Sequence, residues 1–243
     1  MQDAIQTIND SKNIYILPSE APESFVCSLA LFYTLKELNK NVNLIIEDLP
    51  ENLRFLAPSL DFISYPKNFV ISIPNKIASV SQIHYEKNDN DLKIHLTLEN
   101  GFIKKDDISF YFAEAKPDLI ITLGIKDYEA QLKNHLNPFG FLLDSPVLNI
   151  DNGQDLPAQT GNKNFGKINI LEDNSLTGII FKLIKDASNN SIKKEAADCL
   201  LAGLIIHTEN FRNSKITADI FEAAGDLMKK GASPKEIADN IYK

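Results

Sequence analysis

Two cysteines in 243 residues leave little material for a disulfide framework. Cys27 and Cys199 each sit inside an apolar helical pattern, so they read as small buried hydrophobes, and no disulfide or zinc site is implied. Long apolar runs are missing as well. None approaches the ~20 residues that cross a bilayer, and the opening Met1-Gln2-Asp3-Ala4 lacks a basic segment followed by an apolar one. Neither a membrane span nor a secretory leader is expected, and the expected location is cytoplasmic. Positive charge is in deficit: 25 Lys and Arg against 33 Asp and Glu give a net charge of −8. That balance repels a phosphate backbone at long range, no basic cluster offsets it, and a free-standing nucleic-acid binder is disfavoured. Gly161 and Gly166 do not make a phosphate-cradling loop. Ser24, Ser28 and Ser175 have no evident base beside them, which leaves a nucleophilic hydrolase without support. Repeats, low-complexity tracts and long linkers are absent too.

What is present is 44% hydrophobic residues, enough for an ordinary core, arranged as alternating strand and helix signals. Asp3 to Asp10 reads as a short helix and Asn13 to Leu17 as a strand closed by Pro18. Pro22 suits a first helical turn, and Phe25, Leu29, Phe32, Leu35 and Leu38 recur at spacings of three and four. Asn39 can end that helix in a left-handed conformation, and Val42 to Ile46 follows as a second strand. Strand, helix, strand implies a right-handed crossover and a parallel pair. A turn and short helix follow at Asp48 to Leu56. From Phe69 to Phe112 the pattern alternates, with turns at Asn88 to Asp91 and at Asn100-Gly101. This reads as an inserted hairpin or meander, an edge extension of the sheet being favoured over an interaction arm.

The parallel pattern then resumes. Leu119 to Leu123 is a central strand bounded by Gly124, a helix is expected from Asp127 through Leu136, and 156–164 is a polar loop. Phe165 to Ile170 is a short strand, Ser175 caps a helix from Leu176 to Ile184, and Glu195 to Ile206 is a strongly apolar helix. Thr217 to Lys230 ends at Gly231, and Ser233-Pro234-Lys235-Glu236 opens the last helix with N-cap, proline and capping-box glutamate. The expected architecture is one α/β domain over 1–243, with a mostly parallel sheet, helices on both faces and a β-rich insertion at 69–112. Function should be decided at Val147 to Gly153, where an apolar run ends in Asp151-Asn152-Gly153. In such a sheet the carboxyl edge carries the site.

The order of these pieces resembles the N-terminal domain of the DHH phosphoesterase superfamily. The resemblance rests on Ser28 to Leu31, Leu49 to Leu56, Pro117 to Ile121, Asn149-Ile150-Asp151, Asn164 to Asn169, Ala197 to Gly203 with Thr208 and Phe211, and Phe221 to Ala232. It covers nearly the whole chain apart from the insertion. Members of that superfamily hold two divalent ions with carboxylates and histidines, and the ions supply a hydroxide to phosphorus. Laid over this chain, the first motif puts Leu17 at the histidine, Ala21 and Pro22 at the first Asp-Gly, and Glu23 at the second aspartate. The second-motif aspartate falls on Gly124. The Asp-His-His motif becomes Asp151-Asn152-Gly153, and the aspartate before Thr-Gly falls on His207, with Glu209 at the glycine. The family's second, substrate-gripping domain would follow the helix matching Thr217 to Lys230, and its absence is expected.

The resemblance therefore implies a catalytically degenerate member that binds a protein partner, an active paralogue among them, or a nucleotide. It implies no catalytic residue and no cofactor, and it leaves association with further copies of the chain open. The alternative is a divergent phosphoesterase acting on short oligonucleotides or cyclic dinucleotides, with one manganese or zinc ion on Glu23, Asp151 and His207. Each of those three has a plainer role available: Glu23 on the helix dipole, Asp151 in an Asx turn, His207 at a helix C-terminus. His84 and His95 in the insertion and His135 near a helix end read as exposed or structural.

Overall fold

A computed structural model describes residues 1–46, 49–57, 67–114, 117–126, 145–153 and 164–243. The helix expected from Asp127 through Leu136, His135 with it, and the polar loop up to 163 lie outside these residues. The chain divides into two compact units, Met1–Pro66 with Lys116–Lys243, and Lys67–Ala115.

The larger unit is built on five strands: β1 (Asn13–Pro18), β2 (Asn41–Leu44), β7 (Leu119–Leu123), β8 (Val147–Asp151) and β9 (Ile168–Leu171). They lie in the order β2-β1-β7-β8-β9, and every neighbouring pair is parallel. Their residues are buried on both sides, as in Leu119, Ile120 and Ile121, all at 0% exposure. This burial explains why the sequence shows continuous apolar runs instead of alternation. Chain order reverses at β1 and β7, so the switch-point crevice where such sheets take their ligands opens beyond Pro18 and Leu123.

Helices α1 (Gln2–Asp10), α2 (Pro22–Glu37), α3 (Leu176–Ala187), α4 (Lys194–His207), α5 (Ala218–Lys229) and α6 (Pro234–Ile241) complete the unit. Among them α2 and α4 are apolar nearly all round: Val26, Cys27, Ala30, Cys199, Leu200, Leu201 and Ala202 are all fully buried. A helix with no polar face belongs inside, and these two pack on each other in the main core. Both thiols are free, and burial pushes them well above the ordinary cysteine value. The helix ends follow the sequence signals. Ser175 accepts Gly178 N–H at 2.9 Å, Ser233 accepts Glu236 N–H at 3.4 Å, and Asn39 and Gly231 close α2 and α5 with φ of 57° and 98°. Among the described residues no helix is long and apolar enough to cross a membrane.

The smaller unit contains β3 (Lys67–Ser72), β4 (Ala78–Lys87), β5 (Leu92–Gly101) and β6 (Ser109–Glu114). They form two separate antiparallel ribbons, β3 with β6 and β4 with β5. The expected edge extension of the main sheet is thus corrected, because among the described residues neither ribbon is hydrogen-bonded into it. The turn between β4 and β5 is the expected one: Asn88 Oδ1 accepts the N–H groups of Asn90 and Asp91 at 2.9 and 2.8 Å. Gly101, by contrast, ends β5 opposite Ala78 and does not turn the chain into another hairpin.

Candidate functional site

At the switch point the ends of β1 and β7 are tied together by short polar side chains. Ser19 N–H donates to Leu123 O at 2.9 Å. Ser24, in the first turn of α2, donates its hydroxyl to the same carbonyl at 2.8 Å and accepts Ser19 N–H at 3.0 Å. Gly124 follows with φ +62°, and a Cβ placed there would come 3.1 Å from Ser19 Oγ. The two strand tips thus meet through backbone and serine, and a larger residue at 124 would face both a left-handed backbone and a filled space. Leu17, one residue inside the tip, is at 0% exposure and packs with Tyr15 and Ile120. Ala21 holds the exposed N-cap position of α2 without a side-chain bond.

Glu23, two positions on, bonds to two other helices. One carboxylate oxygen, Oε1, accepts both the N–H and the hydroxyl of Thr177 at 2.9 Å each. The other, Oε2, lies 3.2 Å from His207 Nδ1. A carboxylate has no proton to give, so that bond places the hydrogen on Nδ1. Thr177 is in the first turn of α3, whose N–H groups have no partners inside the helix. Glu23 is therefore a cap supplied to α3 by another helix, its charge set against the positive end of the dipole. His207 closes the arrangement from the last residue of α4. The pair is secluded, with side-chain exposures of 16% for Glu23 and 7% for His207. Burial alone would push the Glu23 carboxyl up. The hydrogen bonds from His207 and from Thr177, with the pull of His207, outweigh it and hold Glu23 below its ordinary value of 4.5.

Two further residues make this contact possible, and neither stands out in the sequence as polar chemistry. Gly203, one turn before His207 on α4, sits directly against Thr177: a Cβ there would lie 2.9 Å from Thr177 Cγ2. Cys27 Sγ is 3.5 Å from Thr177 Oγ1.

Asp151 ends β8 at 6% exposure, and its Oδ1 accepts the N–H of the next residue, Asn152, at 2.8 Å. Gly153 is exposed, with φ of 68°. Glu23 and His207 are thus brought together and Asp151 is not joined to them as a third ligand. Among the described residues, only His84, Glu86 and His95 offer three donor atoms within 4.8 Å of one another.

After His207 and Thr208 the backbone is strained. Glu209, Asn210 and Phe211 have φ of 51°, 59° and 58°, three successive left-handed residues without a glycine. Thr208 holds the turn, its Oγ1 accepting Phe211 N–H at 3.0 Å, while Phe211 stacks on Phe221 with ring centroids 5.6 Å apart. The φ at position 209 is one that glycine adopts freely. Glu209→Gly should therefore raise the unfolding free energy by about 0.5–1 kcal/mol, read from denaturant midpoints. A drop in stability would show that the glutamate side chain contributes more than its backbone costs.

The fold and this arrangement define a doubly wound α/β protein whose Glu23 carboxylate is engaged between helices. No family model matches the sequence, and no curated protein does. Among solved structures, an exopolyphosphatase-related protein from Bacteroides fragilis shares the fold, with a TM-score of 0.65 at 16% sequence identity over 100% of this chain and 61% of that one. This chain thus spans about three fifths of that protein's length. RecJ from Thermus thermophilus, solved in complex with Mn2+, is more distant: TM-score 0.40, 12% identity, 98% of this chain and 35% of that one.

Proposed function

We propose that this chain is a DHH-type phosphoesterase scaffold that has lost hydrolytic metal chemistry and acts by binding a protein partner. One observation carries the reading: both oxygens of Glu23 are occupied by Thr177 and His207. The only carboxylate left at the first motif is therefore engaged as a bond between helices. A pair of hard divalent ions needs several charged oxygens around each. Of the other positions laid on the metal motifs, Leu17, Ala21, Gly124, Asn152 and Gly153 bring none, which leaves Asp151. The residues present do not fit a two-metal centre.

A protein is favoured over a nucleotide as the ligand. The net charge of −8 works against a phosphate. On the β4–β5 ribbon Ile83, Tyr85, Leu92 and Ile94 are 46–72% exposed, and the pairing sets Tyr85 opposite Ile94. Such an apolar strip is the usual mark of a protein contact.

Purified protein should give no turnover of short oligonucleotides, cyclic dinucleotides or pyrophosphate with manganese, magnesium or zinc. Nucleotides should leave its melting temperature unchanged, whereas a ligand of the native state would raise it. Turnover that disappears in Asp151→Ala would overturn the reading in favour of a divergent phosphoesterase with one ion on Glu23, Asp151 and His207.

A further inference from the structure

The opposite side of the β4–β5 ribbon carries a different chemistry. His84 on β4 and His95 on β5 are paired across the two strands, and their rings stack with centroids 4.4 Å apart and planes 5° from parallel. Glu86 is two residues beyond His84, hence on the same side of the ribbon, and its Oε1 lies 3.8 Å from His95 Nε2. That nitrogen is shielded from solvent and has no hydrogen-bond partner. The three side chains offer one ligand atom each, all within 4.8 Å of one another. All three residues belong to the smaller unit, so the cluster depends only on the register of a single hairpin.

We propose that His84, Glu86 and His95 form a zinc(II) site that clamps the β4–β5 ribbon. Two imidazoles and a carboxylate are a recognised ligand set for zinc, with bonds of about 2.0–2.2 Å and a fourth position left to water or an external donor. Tetrahedral bonds of that length put ligand atoms about 3.3–3.5 Å apart. Side-chain rotation alone closes the present separation, because His84 and Glu86 are exposed and His95 is half-buried. The physical gain is clear. A two-stranded ribbon is marginal in water, and a metal bridging both strands beside the turn fixes their register, since binding energy at a site formed only by the paired strands stabilises that pairing. Lys93, paired with Glu86 across the ribbon, competes for the carboxylate, so the imidazoles carry most of the affinity.

Zinc chloride titrated into the full chain, followed by calorimetry and by amide hydrogen exchange, tests this directly. One zinc per chain is expected, with slowed exchange in β4 and β5. His84→Ala and His95→Ala should each weaken binding about tenfold or more, and Glu86→Gln by less. Circular dichroism should show all three variants folded, since the replaced side chains are outside the main core. Absence of binding by the wild-type chain would overturn the proposal, and so would zinc binding unaffected by both histidine substitutions. Neither result touches the reading of Glu23 and Asp151, whose failure shows as turnover.

Discussion

Glu23→Ala should lower the unfolding free energy by about 3–5 kcal/mol, the usual cost of removing one member of a buried charged pair. The alanine would leave three donors facing an apolar gap: the N–H and hydroxyl of Thr177 and the Nδ1–H of His207. Each stranded donor costs about 1–3 kcal/mol, and α3 loses the carboxylate that answers its first-turn dipole. In a chain of this size the melting temperature should fall on the order of 10 °C. Glu23→Gln keeps the shape and an oxygen for Thr177, so its loss should be about 1–2 kcal/mol. The two variants also separate charge from geometry through pH. Because the folded carboxyl is held below 4.5, the unfolded chain binds more protons in the window below that value. The advantage of wild type over Glu23→Gln is therefore complete above about pH 4.5 and disappears as pH falls through the folded value. An advantage independent of pH would mean that Glu23 is not ionised in the fold.

The second large effect is expected at Gly203. A methyl group there meets Thr177 Cγ2 at 2.9 Å and Cβ at 3.2 Å, and its nearest neighbour is the Oγ1 that donates to Glu23. Thr177 cannot turn aside without breaking that bond, so α3 and α4 must separate. Overpacking of this kind costs about 1–3 kcal/mol, and the lost hydroxyl bond adds about 1 kcal/mol. A total of about 2–4 kcal/mol is expected for Gly203→Ala from denaturant unfolding. Thr177→Ala removes Oγ1 and Cγ2, the two nearest of those three atoms. The double variant should then be less destabilised than the two singles together. Simple additivity would show that the contact between Gly203 and Thr177 is not what resists the methyl.

How far the sequence discloses all this depends on the range of the interaction. Strands β1, β7 and β8 declare themselves because burial on both faces imposes continuous apolar runs, and Ser175, Ser233 and Asn39 do so because capping is settled within a few residues. The β4–β5 turn at Asn88 to Asp91 is equally local. It also fixes that residues equidistant from the turn face each other, so the pairing of His84 with His95 is legible once that turn is placed, though not while each histidine is weighed singly. That β3 with β6 and β4 with β5 form sheets of their own among the described residues is not legible, since alternation reports a half-exposed strand without naming its neighbour.

Glu23 shows the other limit. Its place in a first helical turn suggests service to its own helix, whereas Thr177, 154 residues away, receives it. Nothing local encodes that partner. Gly203 does leave a signal, because a glycine inside an otherwise apolar helix usually marks a close approach. The resemblance points to the fold, and the geometry gives Glu23 a partner that its sequence neighbourhood alone could not supply.

The most direct measurement is a manganese titration of the isotopically labelled protein, read as paramagnetic broadening of amide signals. A Glu23 carboxylate already engaged by Thr177 and His207 predicts that Ser19, Glu23, Gly124, Asp151, Asn152 and His207 keep their intensities at manganese concentrations that saturate ordinary two-metal enzymes. Broadening centred on those six residues and abolished by Asp151→Ala would contradict it.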